Sequence, residues 1–145
     1  MKNCILILSL VFLLACEKEY FPDPNAYRDK ALFGTWLYIN NTESYPVLKV
    51  FTEDGYMGKV FFTNNYSSAN SLGAIYSTNS DNDIIYEHSQ FRKGIYSREV
   101  KYRTITYDTL LLEKKLDEQE WDTLVRYRYQ LKYDGPKYVG LDSIN

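Results

Sequence analysis

The chain has 145 residues, with 17 Lys+Arg against 19 Asp+Glu and a formal net charge of −2. That length sets one domain, and the near balance of charge excludes the basic field that draws nucleic acid. Cys4 and Cys16 are the only cysteines and His88 the only histidine, too few for a disulfide framework, a His-based zinc site or a Ser-His triad with recognisable partners.

At the N-terminus Lys2 is followed by an apolar run from Cys4 to Ala15. A charged start, an apolar stretch of the ~7–15 residues usual for a signal, and a small residue before the cut describe a secretory signal peptide. The run is shorter than the ~20 residues that a membrane-spanning helix needs. It ends in Leu13-Leu14-Ala15-Cys16, which resembles the bacterial lipobox. The resemblance implies that residues 1–15 are removed and that the Cys16 thiol receives a diacylglyceryl group. The freed amine then takes a fatty acyl chain such as palmitate. It also implies a cell-envelope protein held to a membrane through Cys16, in the outer membrane and on either its periplasmic or its surface face. Cys4 would leave with the signal, so no disulfide is expected in the mature domain.

Residues 17–24 read as a tether, because Pro22 and Pro24 favour extended chain. A charged tether after a lipidated cysteine resembles the export segments of Bacteroidetes surface lipoproteins; a solvated spacer accounts for the same residues. Asn25 is positioned to cap a short helix over about 26–33. Residues 16–31 thus hold the lipidated cysteine, the tether and the start of that helix, and 32–145 hold the folded domain.

Beyond the helix the pattern changes to short β-type runs divided by turn residues. Strands are expected at about 34–40, 46–53, 56–63, 72–78, 83–90, 94–106, 109–115 and 122–133. Asp54-Gly55 lies between apolar runs and predicts a tight primed hairpin turn with positive φ at both centres. Asn79-Ser80-Asp81-Asn82 and Tyr107-Asp108 mark further turns. Residues 109–121 have a helix-favouring composition. A strand to about 115 and then a charged loop is preferred, because the hairpins on either side need a partner there. In the last run Val125, Tyr127, Tyr129, Leu131 and Tyr133 alternate with Arg126, Arg128, Gln130 and Lys132. Strict alternation predicts one strand with a covered and a wet face, the apolar set pointing into the core. The 15 tyrosines suit such half-buried strands.

Eight short strands without βαβ alternation predict an all-β antiparallel up-and-down meander. Closing it into a small barrel removes two sheet edges that would invite aggregation. The motifs come in a definite order: Leu32-Phe33-Gly34-Thr35-Trp36, then Phe51-Thr52-Glu53-Asp54-Gly55-Tyr56, then Tyr102 through Leu112 with Asp108-Thr109-Leu110 at its centre. In this the chain resembles the lipocalin-like domains of Bacteroidetes lipoproteins over about residues 30–133. The resemblance implies a lipocalin-like barrel of about eight strands with a short N-terminal helix. Gly34 and Trp36 would close one end, and Arg126 or Arg128 would lie across the Trp36 indole by cation–π contact.

No catalytic, cofactor or metal constellation is recognisable. His88 reads as a structural or surface residue. Asp81-Asn82-Asp83 lacks the order of a calcium loop. Glu113, Asp117, Glu118 and Glu120 read as a solvated charged loop rather than paired glycosidase carboxylates. Arg98, Lys101 and Arg103 interleave with Tyr96 and Tyr102, but an exported acidic protein is not expected to bind nucleic acid. The expected function is therefore non-enzymatic, and the lipocalin resemblance implies a barrel that binds a small apolar or amphipathic ligand, in a pocket lined by apolar and tyrosine side chains. Tyr127 and Tyr129 are candidates for ligand or surface contact. The alternative is a membrane-anchored module that binds an envelope protein or glycan and has a filled interior. A cavity of ~300–1,000 Å³ would favour the first.

Overall fold

The computed structural model describes residues 21–61, 72–79, 81, 83–89, 97–114 and 119–143. Cys16 and the signal segment lie outside the described residues, as do positions 94–96 of the sixth expected strand and 115–118 of the charged loop. Among the described residues the chain forms one 3-10 turn and ten strands. These are β1 (Gly34–Tyr38), β2 (Val47–Phe51), β3 (Tyr56–Phe61), β4 (Ala74–Asn79), β5 (Ile84–Ser89), β6 (Ser97–Thr106), β7 (Thr109–Glu113), β8 (Trp121–Arg126), β9 (Tyr129–Asp134) and β10 (Lys137–Ser143). Strands β1 to β8 pair antiparallel in chain order, and β8 returns to β1 to close a barrel. The closing register sets Trp36 opposite Arg126, Leu37 opposite Val125 and Tyr38 opposite Leu124. Residues 109–113 are strand, as the flanking hairpins require.

Three local expectations change. The N-terminal helix shrinks to a 3-10 turn, Lys30–Leu32, and its cap is Asp29 rather than Asn25: the Asp29 carboxylate accepts from Ala31 N at 2.9 Å. The loop after β2 is not a two-residue primed turn. Gly55 N donates to Thr52 O (3.2 Å) and Thr52 N to Tyr56 O (2.9 Å), so the loop has three residues. Only Gly55 there takes positive φ, at 99°, the arrangement of a type I turn followed by a glycine bulge.

The third change is the largest. The run expected as one strand over 122–133 bends at Tyr127 and Arg128 into two, β8 and β9. Strand β9 leaves the barrel wall and forms a separate hairpin with β10. The core consequently has two layers. Trp36, Phe51, Met57, Tyr76, Ile85 and Leu124 belong to the cluster inside the barrel. Leu48, Val50, Val60 and Leu131 belong to a second cluster on its outside, with Tyr127, Tyr133 and Tyr138 packed against it. Thr35, fully buried, ties the layers together: its Oγ1 accepts from Leu131 N at 3.0 Å and its carbonyl from Tyr127 N at 2.9 Å. Strand β2 is therefore buried at every position. The face expected for the final run is corrected by the same bend. Leu124, not Val125, points into the barrel, while Tyr127, Leu131 and Tyr133 cover its outer wall.

Candidate functional site

One barrel end is sealed by the N-terminal segment. Trp36 is fully buried, and its indole N–H donates to Leu32 O at 2.7 Å. The Arg126 guanidinium lies 4.2 Å from the Trp36 ring centroid. It also donates to the carbonyls of Phe33, Ala31 (3.0 Å) and Tyr107 (3.2 Å). One cation thus covers the indole and satisfies two carbonyls where the 3-10 turn enters β1 and a third in the turn between β6 and β7. Gly34 makes this possible. Its φ is +124°, and a Cβ there would stand 2.6 Å from Arg126 Nη1. The seal continues around the rim: Tyr102 Oη donates to Asp29 Oδ2 at 2.9 Å, Tyr76 Oη to Thr52 O at 2.8 Å, and Asp29 N to Thr78 Oγ1 at 2.8 Å. Burial, and for Tyr102 also the bond to Asp29, pushes both phenols well above the usual tyrosine range.

Strands β1, β3, β5 and β7 run away from this seal, so their last inward residues define the opposite end. Among the described residues that half is not packed apolar. It holds a cavity of about 540 Å³, whose described lining includes Lys49, Lys59, Arg98 and Glu87 together with Met57 and Ala74. Lys49 follows the inward period of Phe51 on β2 and pairs with Lys59 on β3. Its side chain is only 5% exposed, and its Nζ stands 4.0 Å from Glu87 Oε2. Arg98, half-exposed, donates from Nε to the same Glu87 oxygen at 3.1 Å. Lys59 lies over the Tyr38 ring, 4.9 Å from its centroid. Burial lowers the Lys49 amine to about 8, and nearby Glu87 offsets only part of that shift. Burial, then the Asp122 carboxylate, pushes the Tyr38 phenol well up, so it stays a hydroxyl donor. Beside the cavity β3 and β4 share only the pairs Tyr56–Ile75 and Met57–Ala74, with Gly58 and Gly73 in the lining next to them.

The residues singled out in the sequence fall in three places. Gly34, Trp36 and Arg126 meet at the seal. Arg128 does not reach Trp36; it is exposed at the bend, 4.8 Å from the Tyr129 ring centroid. Tyr127 and Tyr129 meet edge to face at 5.7 Å, outside the barrel and away from the described cavity lining. The basic residues of β6 divide between faces: Arg98 turns inward, while Arg103 stacks on Trp121 at 5.1 Å. His88 is exposed on β5. Glu113 is buried, and its Oε2 has no hydrogen-bond partner among the described residues. Among those residues no group of three or more His, Cys, Asp or Glu side chains gathers as a metal site.

The charged lining itself differs from the apolar and tyrosine pocket that the lipocalin resemblance implied. Sequence reasoning passed over Lys49, Lys59 and Glu87. The usable signal was a lone lysine inside the apolar run Val47-Leu48-Lys49-Val50-Phe51. With period two that lysine shares the inward face of Phe51. No family model, curated protein or solved structure matches the chain.

Proposed function

We propose that the chain is a cell-envelope lipoprotein whose lipocalin-like barrel holds a small amphipathic ligand in the half opposite the Trp36 seal. The anchor rests on Leu13-Leu14-Ala15-Cys16, and the family likeness on the order of the Gly-x-Trp, Asp-Gly and Asp-Thr-Leu motifs. The observation that carries the ligand is the 540 Å³ cavity in a barrel sealed at its other end. Its size lies within the ~300–1,000 Å³ of small-molecule sites. A barrel of eight strands is small enough to be filled by its own side chains; among the described residues only the sealed half is. Met57 and Ala74 offer apolar contact while Lys49, Lys59, Arg98 and Glu87 offer charge, which favours an amphipathic guest over a wholly apolar one. Binding needs no catalytic step and no cofactor.

Titration of the purified protein with an environment-sensitive amphipathic probe should give saturable one-to-one binding, displaced by a fatty acid. Absence of saturable binding would overturn the proposal in favour of an anchored module that contacts a protein or glycan through its outer surface.

A further inference from the structure

We infer that the ligand of this cavity is an amphiphile with an anionic, carboxylate-type head group, seated between Lys49, Lys59 and Arg98, with Glu87 as the resident counter-ion it displaces or shares. The inference rests on the ligand-binding proposal above and specifies the ligand's chemistry.

The described lining is electrostatically incomplete. Three cations face the cavity against one carboxylate, Glu87. Glu87 is already engaged by Arg98 at 3.1 Å, and its distance to Lys49 is 4.0 Å. Lys59 has an aromatic face rather than a carboxylate beside it. Among the described residues outside the lining, Asp122 on β8 stands 3.9 Å from Lys114, which follows β7 and also pairs with Glu120 at 3.6 Å. The remaining strands facing Lys49 offer Tyr38, Met57, Ala74 and Leu112, none of them anionic.

The cations are graded in depth. Arg98 is half in water, Glu87 is mostly covered and Lys49 is almost fully buried. An incoming anion therefore meets a solvated guanidinium first and a desolvated ammonium last, where the same charge pair interacts far more strongly. Met57 and Ala74 lie beside that inner cation, placing apolar contact next to the head group. In the described lining a cationic head group finds only Glu87, and a neutral one leaves the buried ammonium uncompensated.

Linkage supplies a second signature. A carboxylate at Lys49 stabilises the protonated amine, which in the empty protein loses its proton near pH 8. Affinity for the anion is therefore flat from neutral pH to about 8 and falls as pH rises further. A neutral guest shows no such break.

The test is calorimetric or probe-displacement titration of the full chain with octanoate, octanol and octylamine at pH 7 and at pH 9. Octanoate should bind at least tenfold tighter than octanol at pH 7 and weaken severalfold at pH 9. In Lys49→Met the octanoate advantage and its pH break should both shrink toward the octanol values. In Arg98→Gln, at a half-exposed position, the advantage should fall and the break persist. Equal affinity for octanoate and octanol, or tightest binding of octylamine, overturns the inference and leaves the binding proposal standing. Binding of none of the three overturns both, and the loss of the neutral alcohol distinguishes that case.

Discussion

Lys49 makes a measurable demand on stability. Its amine sits near 8 in the native state against an ordinary value of 10.5, chiefly because it is buried. At ~1.4 kcal/mol per pH unit, that difference corresponds to roughly 3 kcal/mol between the charged and neutral forms. Below pH 8 both native and unfolded chains hold the proton, and the native state bears the full cost of a buried charge. Between 8 and 10.5 the unfolded chain keeps a proton that the native protein has shed. Stability therefore rises with pH across that window, by at most ~1.4 kcal/mol per unit. Tyr38, Tyr76, Tyr102 and Tyr133 act in the opposite sense. Burial raises all four phenols, so the unfolded chain ionises first and stability falls from about pH 10 upward. Chemical denaturation from about pH 7 to 9.5 isolates the lysine. The wild-type protein should gain stability over that range. Lys49→Met should show no such gain and should be at least as stable at pH 7, because an apolar side chain of similar length replaces an incompletely paired buried ion. Parallel profiles for the two proteins would refute the assignment of Lys49 to a desolvated interior position.

Other expectations concern the seal and the anchor. Trp36→Ala should cost ~3–5 kcal/mol in thermal or chemical denaturation, the range for a large aromatic lost from a core; in a Trp121→Phe background, Trp36 emission should resist acrylamide. Arg126→Met should cost roughly 2 kcal/mol, because it uncovers the indole and leaves three carbonyls without their donor, whereas Arg128→Met should stay within ~0.5 kcal/mol. Cys16→Ser should abolish metabolic fatty-acid labelling and release the protein from membranes, since firm anchoring takes two or more acyl chains.

The barrel was legible because its strands are short, alternate in polarity and are divided by recognisable turns. The seal was legible in part. Gly34 and Trp36 stand out as a pair, but Arg126 and Arg128 are equivalent while the last run is read as one straight strand. The bend at Tyr127 and Arg128 decides between them, and nothing in the alternation announces a bend. Only Arg126 remains in register with Trp36. Alternation also separates covered from wet without separating inside from outside. Tyr127, Leu131 and Tyr133 are indeed on a covered face, but the cover is a second layer made by β9 and β10 against the outer wall of the barrel. That layer was invisible because β10, with Gly140 at its centre and Lys137 and Asp142 near its ends, carries no strong strand pattern. The cavity was the least legible feature. A pocket lined by apolar and tyrosine side chains was expected from the barrel resemblance, yet Tyr76 and Tyr102 are consumed in fixing the seal.

On the proposed reading, the two ends of the barrel divide stability from binding. At the sealed end the polar groups described above have found partners: an indole, two phenols and a guanidinium reach backbone carbonyls or a carboxylate, and Leu32, Trp36 and Phe51 beside them are buried. The outer layer adds a second apolar core without drawing on the interior. Local preference and global fold agree there, as they do where a sequence specifies structure alone. At the other end they disagree. A lysine stands in the middle of an otherwise apolar strand, inside the barrel, with a single shared carboxylate at 4.0 Å. Measured against the ~5–15 kcal/mol total stability of a domain, a cost of roughly 3 kcal/mol is large. Leucine or methionine at position 49 would remove it and help fill the 540 Å³ beside it. The packing of the barrel therefore gives no reason for the charge. A bound anion does: it would supply the missing partner, convert the cost into affinity, and tie occupancy of the cavity to the protonation of one side chain.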